Sequence, residues 1–251
     1  MKTQKFLTII ILFTTLAFSA CVRLDLDLDL GKGCIKGEGP IVERELSISE
    51  FSKIDLGASF DVVVSQGPVQ KVLAVGNENI IEHLNTNVFG GQWDVNFDQG
   101  CYSDFDLTVY ITVPSIDQIK LSGSGKVNLQ DFNQENDLTV SLSGSGGFTM
   151  NDFESADNLF VNISGSGSFY ANKEVTCFNN VTVRCSGSGS FRGYSIESKE
   201  CTATTTGSGS CYVFADVNLN ATTSGSGNIY YKGNPSVDSH SSGSGRIVHS
   251  N

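Results

Sequence analysis

Three kinds of residue in this 251-residue sequence could do chemistry: carboxylates, histidines and thiols. Glycosidic bond cleavage needs two or three carboxylates held within several ångströms of one another, or carboxylates beside a metal or a basic residue. The acids that invite this comparison are Asp131, Asp137, Asp152, Asp157 and Asp216, and all fall where turns are expected. Asp131 and Asp152 stand at equivalent places 21 residues apart, but two acids at neighbouring turns read as solvated loop residues. His83 is isolated, and His240 with His249 lacks a third ligand, so no metal site is expected and no cofactor is implied. A nucleophilic serine needs a base spaced to reach it, and no such pairing can be argued. On these residues the chain is expected not to be an enzyme.

Seven cysteines remain to be placed. Cys185, Cys201 and Cys211 fall at positions that alternate with polar residues, where buried thiols packing as small hydrophobes and disulfides are equally expected. Cys34 and Cys101 lie outside that alternation and are the expected disulfide, although six thiols after Cys21 allow fifteen pairings.

The elements that would position these residues come from a repeat. Gly-Ser-Gly begins at Gly123, Gly144, Gly165, Gly187, Gly207, Gly225 and Gly243, in steps of 21, 21, 22, 20, 18 and 18 residues. Seven flexible linkers would not keep that interval or carry a flanking hydrophobic pattern. Four residues after the first Gly stand Val127, Phe148, Phe169, Phe191, Cys211, Ile229 and Ile247. Four before it stand Ile119, Val140, Val161, Val183, Ala203, Ala221 and Ser239, two before it stand Leu121, Leu142, Ile163, Cys185, Thr205, Thr223 and Ser241, and the odd positions between are polar. Alternation with period two marks a strand with one face buried.

Units of about 20 residues that stack like on like, with no helix-length periodic segment, predict an all-β fold: a single-stranded right-handed parallel β-helix with coils of 18–22 residues. By parity both glycines of each motif point inward and the middle serine outward. Ser124, Ser145, Ser166, Ser188, Ser208, Ser226 and Ser244 should then form one hydroxyl row, either a binding stripe or a corner that tolerates small polar residues. Upstream, Ile54 to Val64, Trp93 to Phe97 and Leu107 to Val113 repeat the alternation, with Ala58 and Phe60 standing where later coils have Gly. These predict irregular N-terminal coils over 41–113, continuous with the regular coils over 114–251 in one domain. At the far end Ser239 and Ser241 occupy inward positions and should blunt the open edge. Thr204, Thr205, Thr222 and Thr223 read as strand residues.

Residues 1–20 have a basic start, Lys2 and Lys5, and an apolar run over 6–18, too short to span a membrane as a lone helix. They read as a secretory signal. The run ends in Ser19-Ala20-Cys21, which resembles the bacterial lipobox and implies a lipidated Cys21 followed by a tether over 21–40. The acids at Asp25, Asp27 and Asp29 resemble the surface-export signals of Bacteroidetes lipoproteins. The expected address is the cell envelope: an outer-membrane lipoprotein, periplasmic or surface-exposed, held to the membrane by its N-terminal lipid.

Acids outnumber bases 27 to 16, and removing the signal leaves 14 bases and a net charge of −13. Nucleic acid is therefore not an expected partner, and neutral or cationic partners are favoured, among them cell-surface glycans or proteins.

The lipoprotein signal, the strand Phe51-Ser52-Lys53-Ile54-Asp55-Leu56-Gly57 and the serial Ser-Gly-Ser-Gly coils resemble the bacterial head GIN domain, described as an auto-transporter adhesin head, over 41–247. The resemblance implies a β-helical envelope protein with an adhesive or scaffolding surface. It brings no catalytic or ligand residues. The competing reading is a β-helix that binds or acts on extracellular polysaccharide, which an outward cleft with several carboxylates and a base would favour.

Overall fold

The computed structural model describes residues 33–155, 157–172 and 175–250. The expected signal, Cys21 and the tether up to residue 32 lie outside the described residues. The chain divides into two compact units, Met1–Cys34 and Ile35–Asn251; the solenoid belongs wholly to the second.

Each Gly-Ser-Gly joins a strand of a ten-stranded sheet to a strand of an eleven-stranded sheet, and successive windings stack in parallel. This is an all-β solenoid. Like pairs with like: Ile119 faces Val140, Val140 faces Val161, Val161 faces Val183, and the column continues through Ala203 and Ala221 to Ser239. On the other sheet Val127, Phe148, Phe169, Phe191, Cys211, Ile229 and Ile247 are in register. The first six of each column are buried, and those side chains form one core between the sheets. Burying each large apolar side chain contributes roughly 1.5–3 kcal/mol, obtained only when a neighbouring winding covers it.

Thr205 and Thr223 take inward places that Leu121 and Leu142 hold earlier. Their hydroxyls donate to Gly209 O and Gly227 O at 3.1 and 3.0 Å, so neither hydroxyl is left unmatched inside. At the C-terminal end Ser236–Ser241 is exposed along its whole length, where the core runs out.

The region before Val113 is not the plain run of irregular coils that its alternation predicts. Lys53–Leu56 and Asp61–Gln66 do form a winding, paired in parallel with Gln118–Leu121 and Lys126–Gln134. Gln92–Asp94 and Leu107–Val113 lie on the far side of that winding. Lys71–Asn77 runs antiparallel to both Leu107–Val113 and Ile41–Leu46. The chain thus doubles back over its own first winding before the regular coils begin, and Trp93, Ile80 and Val109 close that end as fully buried side chains. Period-two alternation specifies which side of a strand is buried but not its direction or its place in the stack.

Candidate binding surfaces

The corners come first because they set the geometry of both faces. At the first five corners, from Gly123 to Gly207, the carbonyl of the first Gly accepts two N–H groups from the next winding, and Gly225 O accepts one, from Gly245 N. Ser166 and Gly167 both donate to Gly144 O at 3.0 Å, and Ser188 and Gly189 to Gly165 O at 3.1 Å. A Cβ on Gly165 would overlap Gly144 O, and one on Gly167 would overlap Gly146 O. None of these glycines has a positive φ, so close approach along the stack, not an unusual backbone conformation, requires them. The second glycine of each motif is buried, as parity predicts, and on Gly146 and Gly189 a Cβ would also meet the inward Leu121 and Ile163; the first glycine is only half-buried or exposed, and its Cβ would run into the preceding winding. The seven middle serines are all exposed at these corners. The N–H groups of Ser145, Ser166, Ser188, Ser208 and Ser226 have the structural task just described, and the serine hydroxyls face solvent beside a second exposed row that includes Ser143, Ser164 and Ser186.

The outer face of the ten-stranded sheet carries amide ladders. Asn158 donates from N and Nδ2 to Asp137 Oδ1 at 3.1 and 2.7 Å, Asn180 Nδ2 donates to Asn158 Oδ1 at 2.7 Å, and Asn218 Nδ2 donates to Glu200 Oε1 at 2.9 Å. Asn158, Asn180, Glu200 and Asn218 line a shallow groove with Phe160 and Thr182. Beside it Lys53, Asp117, Asp137 and Asp157 line an open depression. The sequence alignment on glycine missed this grouping because the three aspartates stand at different distances before their Gly. Asp117 Oδ2 accepts from Ser52 Oγ at 2.6 Å and Asp137 from Asn158, so these carboxylates are engaged by neighbours on adjacent windings. Nearer the N-terminal end Asp55 pairs with Asp94 on the next strand, and Lys120 Nζ lies 4.0 Å from Asp55 Oδ2. Burial pushes the Asp55 carboxyl up, Lys120 opposes this, and Asp94 adds to it.

The outer face of the eleven-stranded sheet carries a feature that no sequence motif had marked. Five residues after the first Gly stand Tyr170, Arg192, Tyr212 and Tyr230, one per winding, on strands that pair in that order. The signal was available: aligning the polar positions as carefully as the apolar ones brings these four into one column.

A family model described as "Putative auto-transporter adhesin, head GIN domain" matches residues 50–235. The chain belongs to this family. Several solved structures share the head GIN fold. A putative adhesin from Bacteroides fragilis aligns with TM-score 0.76 at 22% identity, covering 86% of this chain and 100% of that one. A putative adhesin from Parabacteroides distasonis aligns with TM-score 0.69 at 21% identity, covering 86% and 99%. A structure from the same organism described as a putative lipid binding protein aligns with TM-score 0.67 at 21% identity, again covering 86% and 99%. No curated protein matches the sequence.

The remaining residues singled out from the sequence take modest places in this head GIN domain. Asp131 and Asp152 have φ of 57° and 45° and fall between paired residues, so they bend two long strands in the left-handed conformation that Asp tolerates. His83 lies against Tyr102, His240 is exposed, and His249 stacks on Tyr231 with Nε2 3.0 Å from Gly233 O. Among the described residues no group of three His, Cys, Asp or Glu could hold a metal ion. Cys34 and Cys101 are each disulfide-bonded, whereas Cys185, Cys201 and Cys211 are free and buried. Cys211 Sγ lies 3.0 Å from Cys185 Sγ across the core, and that contact together with burial pushes the Cys211 thiol up. The side chain of Cys177 lies outside the described residues.

Proposed function

We propose that this protein is a cell-envelope lipoprotein, anchored through Cys21, whose solenoid presents a non-catalytic adhesive or scaffolding surface. The observation that carries the reading is the pair of long outer faces, on which side chains repeat in register from winding to winding while backbone N–H and C=O groups are consumed between windings. Such faces offer many weak, identical contacts spaced about 4.8 Å apart, which suits attachment through many points better than enclosure of one small molecule. The family's description as an adhesin head supports the same role. Aspartates in the depression beside Lys53 would have to serve a polysaccharide-cleaving alternative, and Asp117 and Asp137 are already held by Ser52 and Asn158.

The test is attachment of beads coated with the purified protein to a panel of glycans, matrix proteins and cells, with release of reducing sugar ends followed in parallel. Attachment without sugar release is expected. Failure to attach to any member removes the adhesive reading, and sugar release that is lost in Asp137→Asn removes the non-catalytic one. The anchor is tested separately: incorporation of a labelled fatty acid should be lost in Cys21→Ala.

A further inference from the structure

The column found on the eleven-stranded sheet is more than a row of tyrosines, of which Tyr170 is exposed and Tyr212 and Tyr230 are half-buried. The Arg192 guanidinium lies between two rings, with Cζ 5.5 Å from the Tyr170 centroid and 5.6 Å from that of Tyr212. Tyr212 stacks on Tyr230 at 4.9 Å and 12°, and Tyr194 meets Tyr212 edge-on at 5.5 Å. Lys232 Nζ sits 5.0 Å from the Tyr194 centroid, and the Tyr194 hydroxyl is 2.9 Å from Ser250 Oγ. Asn228 Nδ2 donates to the Tyr230 hydroxyl at 3.0 Å. The side chains brace one another, so little conformational freedom remains to be lost on binding.

The charge of this strip runs against that of the whole chain. Over the five windings from Gly165 onward, the strand residues 168–172, 190–194, 210–214, 228–232 and 246–250 include Arg192, Lys232 and Arg246 and no Asp or Glu. Among the described residues none of the three cations lies within ion-pair distance of a carboxylate. In a chain of net charge −11 this is a local cationic surface, and the neutral or cationic partners that the overall charge favoured do not fit it.

We infer that Tyr170, Arg192, Tyr212 and Tyr230, flanked by Tyr194 and Lys232, bind an anionic polysaccharide whose sugar rings carry carboxylates. The inference rests on the adhesive reading and names the ligand class of one of its faces. With both guanidinium faces covered by tyrosine rings, the N–H edge of Arg192 is left for a planar carboxylate, which it matches with two parallel hydrogen bonds. Lys232 offers a second positive charge two strands away along the stack. The tyrosine hydroxyls form a line of donors and acceptors over three inter-strand steps, roughly 14 Å, which suits the hydroxyls of consecutive sugar rings. Single-stranded nucleic acid fits less well, because it needs open ring faces for base stacking and here neighbours within the column cover them. Backbone addition of a peptide strand is also disfavoured, since these strands already pair on both sides.

Binding of polygalacturonate to the purified full-length protein, measured by calorimetry, tests the site. The wild type should bind, more weakly as salt rises. Arg192→Gln should lower the affinity about tenfold or more, and Arg192→Gln with Lys232→Gln should lower it further. Arg184→Gln, an exposed cation on the opposite sheet, should bind as the wild type, and all variants should melt at the wild-type temperature. Equal binding by the double variant, equal binding of neutral dextran, or tighter binding of single-stranded DNA, dextran sulfate or phosphatidylglycerol vesicles would each overturn the assignment. The two readings fail separately. Attachment to cells without any polygalacturonate binding overturns this inference alone, and polygalacturonate binding through Arg192 without attachment upholds the site and overturns the adhesive reading.

Discussion

The windings that carry Gly144, Gly165 and Gly187 and those that carry Gly207 and Gly225 share one backbone plan and differ inside. In the former, phenyl rings stack along the axis, Phe148 on Phe169 at 5.0 Å and Phe169 on Phe191 at 4.9 Å, with a second column of Phe132, Phe153 and Phe178 at 5.9 and 5.7 Å. In the latter the interior holds Cys211, Ile229, Ala203, Ala221 and two hydrogen-bonded threonines. The interval between motifs falls from 21–22 residues to 18 over the same stretch. A shorter winding encloses less volume, and the side chains shrink to match, because an interior tolerates neither voids nor excess. The corner is common to both regions, whereas the filling is particular to each.

That contrast can be broken or sharpened by substitution. The largest effect is expected at the corners and should be the same in both regions: Gly165→Val and Gly225→Val each force a side chain against the carbonyl of the winding before. Each should cost several kcal/mol and abolish cooperative melting or lower it steeply, and an unchanged melting curve would contradict the axial packing. Interior truncation should depend on region. Phe169→Ala should cost about 3–5 kcal/mol, while Cys211→Ala, two column positions away in a smaller winding, should cost about 1 kcal/mol. Equal losses in chemical denaturation would show that the two interiors do not differ as described. A change of similar size to that at Cys211 is expected for Thr223→Val, about 1 kcal/mol, through loss of the donor to Gly227 O.

The narrow windings carry a pH dependence of their own. Burial pushes the Cys201 thiol up to about 12 from an ordinary 9.0, because the thiolate cannot be solvated there. The neutral form is what the fold holds, so this contribution to stability is complete below about pH 9 and is lost as pH rises from there through 12. Cys201→Ala should flatten the alkaline limb of the stability profile, and alkylation of Cys201 near pH 8 should wait for unfolding.

Much of the solenoid could be read from the chain because its signals are local and repeated. The inward columns through Ile119 and Val127, the exposed serines and the decay at Ser239 and Ser241 all follow from alternation and interval. The N-terminal fold-back was not legible, since Val72, Ala74 and Val109 alternate identically whether their strands run parallel or antiparallel. The grouping of Asp117, Asp137 and Asp157 was hidden by unequal corner lengths. The column of Tyr170, Arg192, Tyr212 and Tyr230 was hidden differently: outward residues face no volume constraint, so nothing in a hydrophobic pattern draws attention to them.

The interior holds the fold and the outer faces make contact, and attachment measured beside stability tests that separation most directly. Beads bearing the wild-type protein should attach to an acidic glycan surface, and beads bearing Arg192→Gln with Tyr212→Ser should not, although both proteins melt at the same temperature. Attachment unchanged by these outward substitutions, or lost only in proportion to a fall in melting temperature, would contradict it.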